Sequence, residues 1–304
     1  MDAAGLLRAV GPLGLAITTK DILNLDSSNI QAEEWEIIAR HIHEDSPGYD
    51  GVVVTHGTDT MAYTASMMTF MLRGLKIPVV FTGSQLPVTH PLTDAIDNLR
   101  CAVAMALTGL PGIFVAFDRQ VILGCRAVKV RTSSLDAFES VNYPPIGQVT
   151  AQGLQLHPER LREDADDTAL RFEIERRVYL IKLTPTTPPE LFGALKALGC
   201  RGVILEAFGL GGLQFIRRDI ITALGDLVGE GVVVAVCSQC LYEPSSLDSY
   251  EVGVRARRMG VLSAGDMTSE AAYTKLMWIL GQTDDPEEAA RMFLGNMAGE
   301  IMDT

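Results

Sequence analysis

Short, β-branched apolar runs alternate with longer segments of helical period through most of the chain. In the first half we predict strands at 51–55, 78–82 and 112–117, and helices at 31–43, 59–73 and 93–107. We expect the valine-rich strand at 51–55 to be buried. Strands that alternate with helices in this way are typical of parallel βαβ units. The hydrophobic pattern therefore predicts an α/β protein.

The alternation fades in the middle of the chain and then resumes. Periodicity is weak from residue 131 to about 167, where two adjacent prolines and a glycine precede a polar, mostly charged stretch at 157–167. Beyond it we predict strands at 177–183, 202–206 and 231–236, and helices at 188–198, 216–227 and 268–281. A chain of 304 residues usually exceeds what one hydrophobic core can hold.

The predicted fold class is therefore α/β with two domains, each with a mainly parallel sheet flanked by helices. We expect a larger N-terminal domain at 1–167 and a smaller C-terminal domain at 176–304, with an interdomain linker near 157–175. The two halves share architecture only, because no short-period internal repeat is visible.

The net charge and the cysteine content indicate which partners to exclude and which cellular compartment to expect. A net charge of -13 repels phosphate backbones and anionic lipid surfaces, so we expect neither nucleic-acid nor membrane binding. No apolar run has the length of a membrane span, and the first residues lack the pattern of an export signal. Five cysteines without a framework spacing favour a reducing compartment, so we expect a soluble cytoplasmic protein.

Metal chemistry is not predicted. The histidines show no metal-ligand spacing, and Cys237 and Cys240 have no second pair that would complete a metal site. We interpret both cysteines as small buried residues at the end of a strand. No cofactor is expected.

Polar residues follow three apolar segments at the points where strands are predicted to end. They are Asp26, Ser27 and Ser28 after residues 22–25, the segment 55–60 with Thr58 and Asp59 after residues 51–54, and Thr82, Gly83, Ser84 and Gln85 after residues 79–81. Ligands of open parallel sheets bind beyond the carboxyl ends of the strands, so we expect these loops at one edge. Hydroxyls, a carboxylate and backbone donors suit a small polar zwitterion.

Several of the candidate residues also have a structural interpretation. Ser27 and Ser28 could cap the helix that follows them, and Asp59 could stabilise the positive end of the helix that it begins. Lys129, in the stretch RAVKVR, could be a solvated surface residue. With a partner, however, Lys129 could relay the proton of the Thr58 hydroxyl, which needs an adjacent base to react, while Asp59 orients it.

The sequence also resembles a known family over nearly its whole length. The run GVVVTHGTDTMAYTASMMTFML is similar to the second active-site signature of bacterial type I asparaginases. Other similar runs are LDSSNI, FTGSQLP, TDAIDNL, CRAVKVRTSSLDAFESVN and GDMTSEAAYTKLMWIL. By these motifs the chain is identified as a member of the bacterial type I (cytosolic) L-asparaginase family.

The resemblance implies a catalytic triad and a reaction. Thr58, Asp59 and Lys129 match the family's second catalytic threonine, its aspartate and its lysine, which activate a nucleophile or a water. The implied reaction is hydrolysis of L-asparagine to L-aspartate and ammonia, without a cofactor. Whether L-glutamine is also a substrate is left open.

The resemblance further implies a substrate-binding set and an assembly. The set consists of Asp26, Ser27, Ser28, Thr58, Asp59 and Ser84. In the family, the residues that match Asp26 and Ser27 hold the α-amino and α-carboxylate groups of the substrate. Relatives complete their pocket with a partner subunit, so the resemblance implies a homodimer or homotetramer.

One departure from the family concerns the start of the chain. Family members open with a TGGTI-like turn, whose threonine is the usual nucleophile, and a loop with a catalytic tyrosine, whereas this sequence opens with MDAAG. We therefore expect either a shortened sequence or an enzyme that has lost its first nucleophile. The alternatives are a catalytically lapsed asparagine- or aspartate-binding regulatory module, and a tRNA-dependent amidotransferase subunit, which the acidic charge disfavours.

Overall fold

The structure, a computed structural model, describes residues 5, 7–8, 14–162 and 170–302. The chain divides into two compact units, Met1–Phe172 and Glu173–Thr304. The predicted domain limits of 1–167 and 176–304 stay predictions. Residues 163–169 of the predicted linker, and most of the MDAAG opening, lie outside the described residues.

The first unit contains a six-stranded sheet, a separate strand pair and helices. In the described ranges its helices are α1 (Ala32–Asp45), α2 (Met61–Met71) and α3 (Ala95–Ala106). Its strands are β1 (Val52–Thr55), β2 (Pro78–Thr82), β3 (Gly112–Phe117), β4 (Gln120–Leu123), β5 (Ala127–Lys129), β6 (Phe138–Ser140), β7 (Gly147–Thr150) and β8 (Gly153–Leu156). The large sheet has the order β1-β2-β3-β4-β7-β8, and β5 pairs with β6.

The large sheet is mixed. Strands β1, β2 and β3 run parallel, as the βαβ pattern predicts, whereas β4, β7 and β8 are antiparallel to their neighbours. The direction first reverses at a two-residue turn, Asp118 and Arg119, whose φ angles of 44° and 63° suit a tight hairpin. The two-domain α/β class is confirmed, with the difference that this sheet is mixed rather than mainly parallel.

Helix α2 lies in the core of the first unit. It is buried on almost every side, and Met61, Met67 and Phe70 are at most 1% exposed, as expected of a helix without a polar face. Strand β1, by contrast, is at an edge of the described sheet, and its three valines are half-buried. The strand at 51–55 is confirmed, but the prediction that it is buried is wrong.

The second unit contains the mainly parallel sheet that the sequence predicts. Its strands are β9 (Val178–Lys182), β10 (Gly202–Ala207), β11 (Val233–Ser238) and β12 (Leu262–Ser263), in the parallel order β12-β11-β10-β9. Its described helices are α4 (Glu190–Ala197), α5 (Ile220–Gly229), α6 (Glu251–Arg258), α7 (Ser269–Gln282) and α8 (Pro286–Leu294). Apolar side chains of β10 and β11 pack against α4 and α5 in one core.

A buried ion pair fixes the last described segment of the second unit. Lys275 on α7 lies 2.6 Å from Glu300, and both side chains are fully buried. The Lys275 Nζ also donates to the carbonyls of Phe293 and Gly295, and Glu300 accepts from the Met297 N–H. These bonds satisfy both charges within the core, which a buried pair requires.

The structure tests the prediction that Cys237 and Cys240 are buried, and it shows the length and polarity of the helices. Cys237 is buried at the end of β11, as predicted, whereas Cys240 is exposed, so the prediction of a buried Cys240 is wrong. None of the five cysteines, all of which the structure describes, is in a disulfide. Within the ranges that the structure describes, no helix combines the length and apolar character needed to cross a bilayer.

Candidate active site

Two of the predicted loops begin side by side. Strands β1 and β2 are parallel neighbours with Thr55 opposite Thr82, so the loops that follow them leave the same edge of the sheet. The His56 N–H donates to the Thr82 carbonyl at 2.8 Å, which keeps the two strand ends together. A side chain on Gly83 would collide with the His56 carbonyl oxygen, so this close approach requires glycine.

The third predicted loop also reaches this edge, through Ser27. Residues 22–25 form no strand in the structure, and a 3-10 turn at Ser27–Asn29 follows them. The Asp59 N–H donates to Ser27 Oγ at 3.2 Å, and the Thr60 hydroxyl donates to the Ser27 carbonyl at 2.7 Å. A Cβ on Gly57 would lie 2.6 Å from Ser27 Oγ, so glycine is needed there too.

The helix-capping alternatives for these residues are wrong. Helix α1 is capped by Gln31 and Glu34 in a capping box, not by Ser27 or Ser28. Helix α2 begins at Met61, two residues after Asp59, and its N-cap position is Thr60. The Asp59 side chain is therefore available for another partner.

That partner is Lys129. Its Nζ, at the end of β5, lies 2.6 Å from Asp59 Oδ1 and 2.8 Å from Thr58 Oγ1. The Lys129 side chain is 16% exposed, so the interpretation as a solvated surface residue is wrong, whereas Asp59 is 62% exposed. A hydroxyl, a carboxylate and an amine thus lie in hydrogen-bond contact, with the carboxylate open to solvent.

Gln85 is a further polar neighbour of Thr58, and it belongs to the loop after β2 that the sequence predicts at this edge. The Thr58 hydroxyl donates to Gln85 Oε1 at 3.1 Å, and Gln85 Nε2 donates to the Ser134 carbonyl at 3.3 Å. The Gln85 backbone N–H donates to the Asp94 carboxylate. The available signal was its position, three residues past the end of β2, in the run FTGSQLP.

Thr58, Asp59 and Lys129 form what we call the Lys129 cluster. Asp26, Ser28 and Ser84 lie in the loops of this edge, but among the described residues they have no hydrogen bond to the Lys129 cluster. Asp26 accepts from the side chain and backbone N–H of Ser28 at 2.7 and 2.9 Å. These two bonds lower the pKa of Asp26, which is therefore ionised at neutral pH. Ser84 is half-buried between β2 and Gln85.

Two family models match the chain. The model described as asparaginase, N-terminal, matches residues 1–162, and the model described as glutaminase/asparaginase C-terminal domain matches residues 177–293. The chain belongs to the asparaginase family. In this asparaginase-family chain the Lys129 cluster lies in the part that the N-terminal model covers.

L-asparaginases are similar to this protein over most of the chain. The L-asparaginase of Thermococcus kodakarensis is 45% identical over 289 residues, which are 95% of this chain and 87% of that protein. The solved structure of the thermostable L-asparaginase from Thermococcus kodakarensis has a TM-score of 0.93 at 42% identity, and the match covers 100% of this chain and 93% of that one.

A second kind of relative shares only part of its length with the chain. It is a subunit of the glutamyl-tRNA(Gln) amidotransferase of Methanothermobacter thermautotrophicus, which is 39% identical over 294 residues. The match covers 94% of this asparaginase-family chain and 67% of the amidotransferase subunit. The similarity to the L-asparaginase is therefore higher in identity and in the share of the relative that is matched.

Proposed function

We propose that the chain hydrolyses the side-chain amide of L-asparagine to L-aspartate and ammonia. The observation that carries the proposal is the position of Lys129 Nζ, within hydrogen-bond distance of both Thr58 Oγ1 and Asp59 Oδ1. Membership of the asparaginase family and the similarity to an L-asparaginase support the same reaction.

We assign the proton relay to Lys129. A threonine or water oxygen attacks an amide only as its proton leaves, and the neutral amine of Lys129 is placed to accept that proton from Thr58 or from a water beside it. The Asp59 carboxylate then stabilises the resulting ammonium. Attack gives a tetrahedral oxyanion, and its collapse breaks the C–N bond and passes the proton to the leaving nitrogen, which departs as ammonia. Attack by water gives L-aspartate directly, whereas attack by Thr58 leaves an ester that a water molecule then hydrolyses to L-aspartate and free Thr58.

The hydrogen bonds of Thr58 indicate what must change on activation. In the resting arrangement Lys129 donates to Thr58, and the Thr58 proton lies on the bond to Gln85. The hydroxyl must turn from Gln85 toward a deprotonated Lys129 before the relay can work. Substrate entry beside Gln85 would favour this turn, because the amide of L-asparagine can take over hydrogen bonds of the Gln85 carboxamide.

We assign substrate binding to the loops around the cluster. Asp26 and Asp59 supply carboxylates for the α-ammonium group, and Ser27, Ser28 and Ser84 supply hydroxyls for the α-carboxylate and the amide. Ser27 supports this assignment best, since its hydroxyl already accepts from the Asp59 N–H. A small amino acid with opposite charges at one end matches this set of groups.

Ammonia release by the full chain tests the proposal. We expect L-asparagine to yield ammonia in a coupled assay, with D-asparagine as a stereochemical control and L-glutamine as the longer homologue. Calorimetry on the same preparation measures binding. Binding of L-asparagine without ammonia release would sink the hydrolase proposal and leave the binding-module alternative.

A tRNA-dependent amidotransferase subunit is a second candidate, favoured by the 39% identity to the Methanothermobacter protein. Such a role requires contact with tRNA, which the net charge of -13 opposes. Retardation of tRNA in a native gel at low salt would support this candidate. No retardation, together with ammonia release from free L-asparagine, would exclude it.

We further propose a bacterial type I enzyme that acts in the cytoplasm as a homodimer or homotetramer. Five cysteines that form no disulfide in the described structure support a reducing compartment. Light scattering of the purified chain tests the assembly, and a monomer that is fully active would contradict it.

A further inference from the structure

His56 lies beside the candidate active site and has no part in the relay proposed above. It is half-buried between β1 and Gly57, the residue before Thr58. Both ring nitrogens have close polar neighbours, because Nδ1 lies 2.7 Å from the Gly57 carbonyl oxygen and Nε2 lies 3.0 Å from Thr64 Oγ1. A ring with both nitrogens engaged has a fixed orientation.

The neighbours of the ring are compatible with one arrangement of protons when the ring is neutral. A carbonyl oxygen only accepts, so His56 Nδ1 carries a hydrogen and donates to Gly57. Trp35 Nε1 only donates, and it lies 3.0 Å from Thr64 Oγ1, so this hydroxyl accepts from Trp35. In a neutral ring with its hydrogen on Nδ1, Nε2 has no hydrogen, so the Thr64 hydroxyl gives its own proton to His56 Nε2. Burial lowers the pKa of His56, which favours the neutral ring that this arrangement needs.

The arrangement is anchored in the core and ends at the active site. Thr64 on α2 is fully buried, and Trp35 on α1 is 7% exposed. At the other end, the Gly57 carbonyl belongs to the same planar peptide unit as the Thr58 N–H, so holding the carbonyl also sets the direction of that N–H. The His56 imidazole thus connects two buried side chains, Trp35 and Thr64, with the peptide unit that contains the Thr58 N–H.

We propose that His56 is a positioning residue, which holds Thr58 in its reactive place through the Gly57 carbonyl while Trp35 and Thr64 fix the tautomer of the ring. The kinetic part of this inference rests on the proposed function, whereas the tautomer does not.

Two substitutions at His56 distinguish the effect of its hydrogen-bond donor from the effect of its ring. In His56→Asn the side-chain amide nitrogen takes the place of Nδ1 and can still donate to Gly57, whereas His56→Leu removes the donor at similar size. We expect His56→Leu to lower kcat on L-asparagine by up to about 100-fold with KM little changed, since small misplacements of reacting groups have effects of this size. His56→Asn should keep most of the wild-type kcat.

Substitutions at Thr64 test the hydrogen bond to His56 Nε2. They also keep the proposal testable if His56→Leu fails to fold. Thr64→Val keeps the shape but removes the proton that His56 Nε2 accepts, whereas Thr64→Ser keeps a hydroxyl. We expect Thr64→Val to lower kcat and Thr64→Ser to restore it. Melting temperatures of all four variants show whether any loss of rate merely follows a loss of stability.

NMR of the full chain labelled with ¹⁵N-histidine reads the tautomer without any turnover. The His56 signal is identified by its loss in His56→Asn, and we expect a neutral ring with the proton on Nδ1. A proton on Nε2, wild-type kcat in His56→Leu, or equal losses of kcat in His56→Asn and His56→Leu would each overturn the inference. A wild-type chain that releases no ammonia but shows the Nδ1 proton would instead count against the proposed function.

Discussion

The amine of Lys129 lies 2.6 Å from the carboxylate of Asp59, although the two residues are 70 positions apart in the chain. Strand β5 supplies the amine and the loop after β1 supplies the carboxylate, so the pair forms only when the first unit is folded. Its contact with Thr58 makes this pair the feature of the site that mutagenesis tests most directly.

Replacing Lys129 by methionine should abolish most turnover and spare binding. The change removes the amine at nearly constant length, so we expect kcat to fall by about 10²- to 10⁴-fold while calorimetry still detects L-asparagine. Lys76→Met is the matched control, because Lys76 is exposed in the turn before β2. Wild-type kcat in Lys129→Met would show that the triad assignment is wrong.

An alanine at Gly57 should separate the Ser27 loop from the Thr58 loop. Its Cβ would lie 2.6 Å from Ser27 Oγ, and relief of the clash should cost about 1–3 kcal/mol of the free energy of unfolding. Ammonia release should fall as well, since the Asp59 N–H loses its acceptor.

Gly193→Ala is the control for this substitution. Gly193 lies within α4 with open space around it, so alanine there should stabilise by about 0.5–1 kcal/mol. Urea unfolding measures both changes. Equal free energies of unfolding for the two variants would refute the argument from the clash.

Lys275→Met should destabilise the second unit strongly. It leaves Glu300 as a buried charge without its cation, which typically costs about 3–5 kcal/mol. The double variant Lys275→Met, Glu300→Gln should recover part of this loss, because the remaining side chain at 300 is neutral. If the double variant is less stable than Lys275→Met, the buried charge is not the cause.

The same pair predicts a pH dependence of stability. Burial acts to raise the pKa of Glu300, but the Lys275 charge and the hydrogen bonds outweigh it and hold the pKa below its ordinary value of 4.5. A pKa that is lower in the folded than in the unfolded chain stabilises above the ordinary value, and this contribution is lost as the pH falls through the folded pKa.

Urea unfolding at a series of acid pH values measures this contribution. The wild type should lose free energy of unfolding below pH 4.5 more steeply than Glu300→Gln, in which the titrating group is absent. Parallel curves for the two proteins would mean that Glu300 does not titrate differently on folding.

The local pattern of hydrophobic and polar residues was enough to predict the strands and helices that position the site. Contacts between residues far apart in the chain could not be predicted in this way. The strand at 78–82 and the strand at 112–117 have the predicted bounds. The contact of Lys129 with Thr58 is different, because a fold must bring together residues 71 positions apart. Spacing in the sequence carries no such information.

Two errors have physical causes. Strands β4 to β8 have three or four residues each, too few for an alternation of apolar and polar positions to stand out, so the antiparallel half of the large sheet and the separate pair of β5 and β6 were missed. The valines of β1 have the composition of a central parallel strand, whereas the strand lies at an edge of the described sheet.

Helix α2 starts one residue after Thr60 and has almost no side chain in contact with water. The loop of Thr58 and Asp59 is thus attached directly to a helix that cannot unfold, even at its end, without exposing the hydrophobic core of the first unit. Heating should therefore leave catalysis intact until the whole first unit melts, and inactivation and loss of tertiary structure should occur at one temperature.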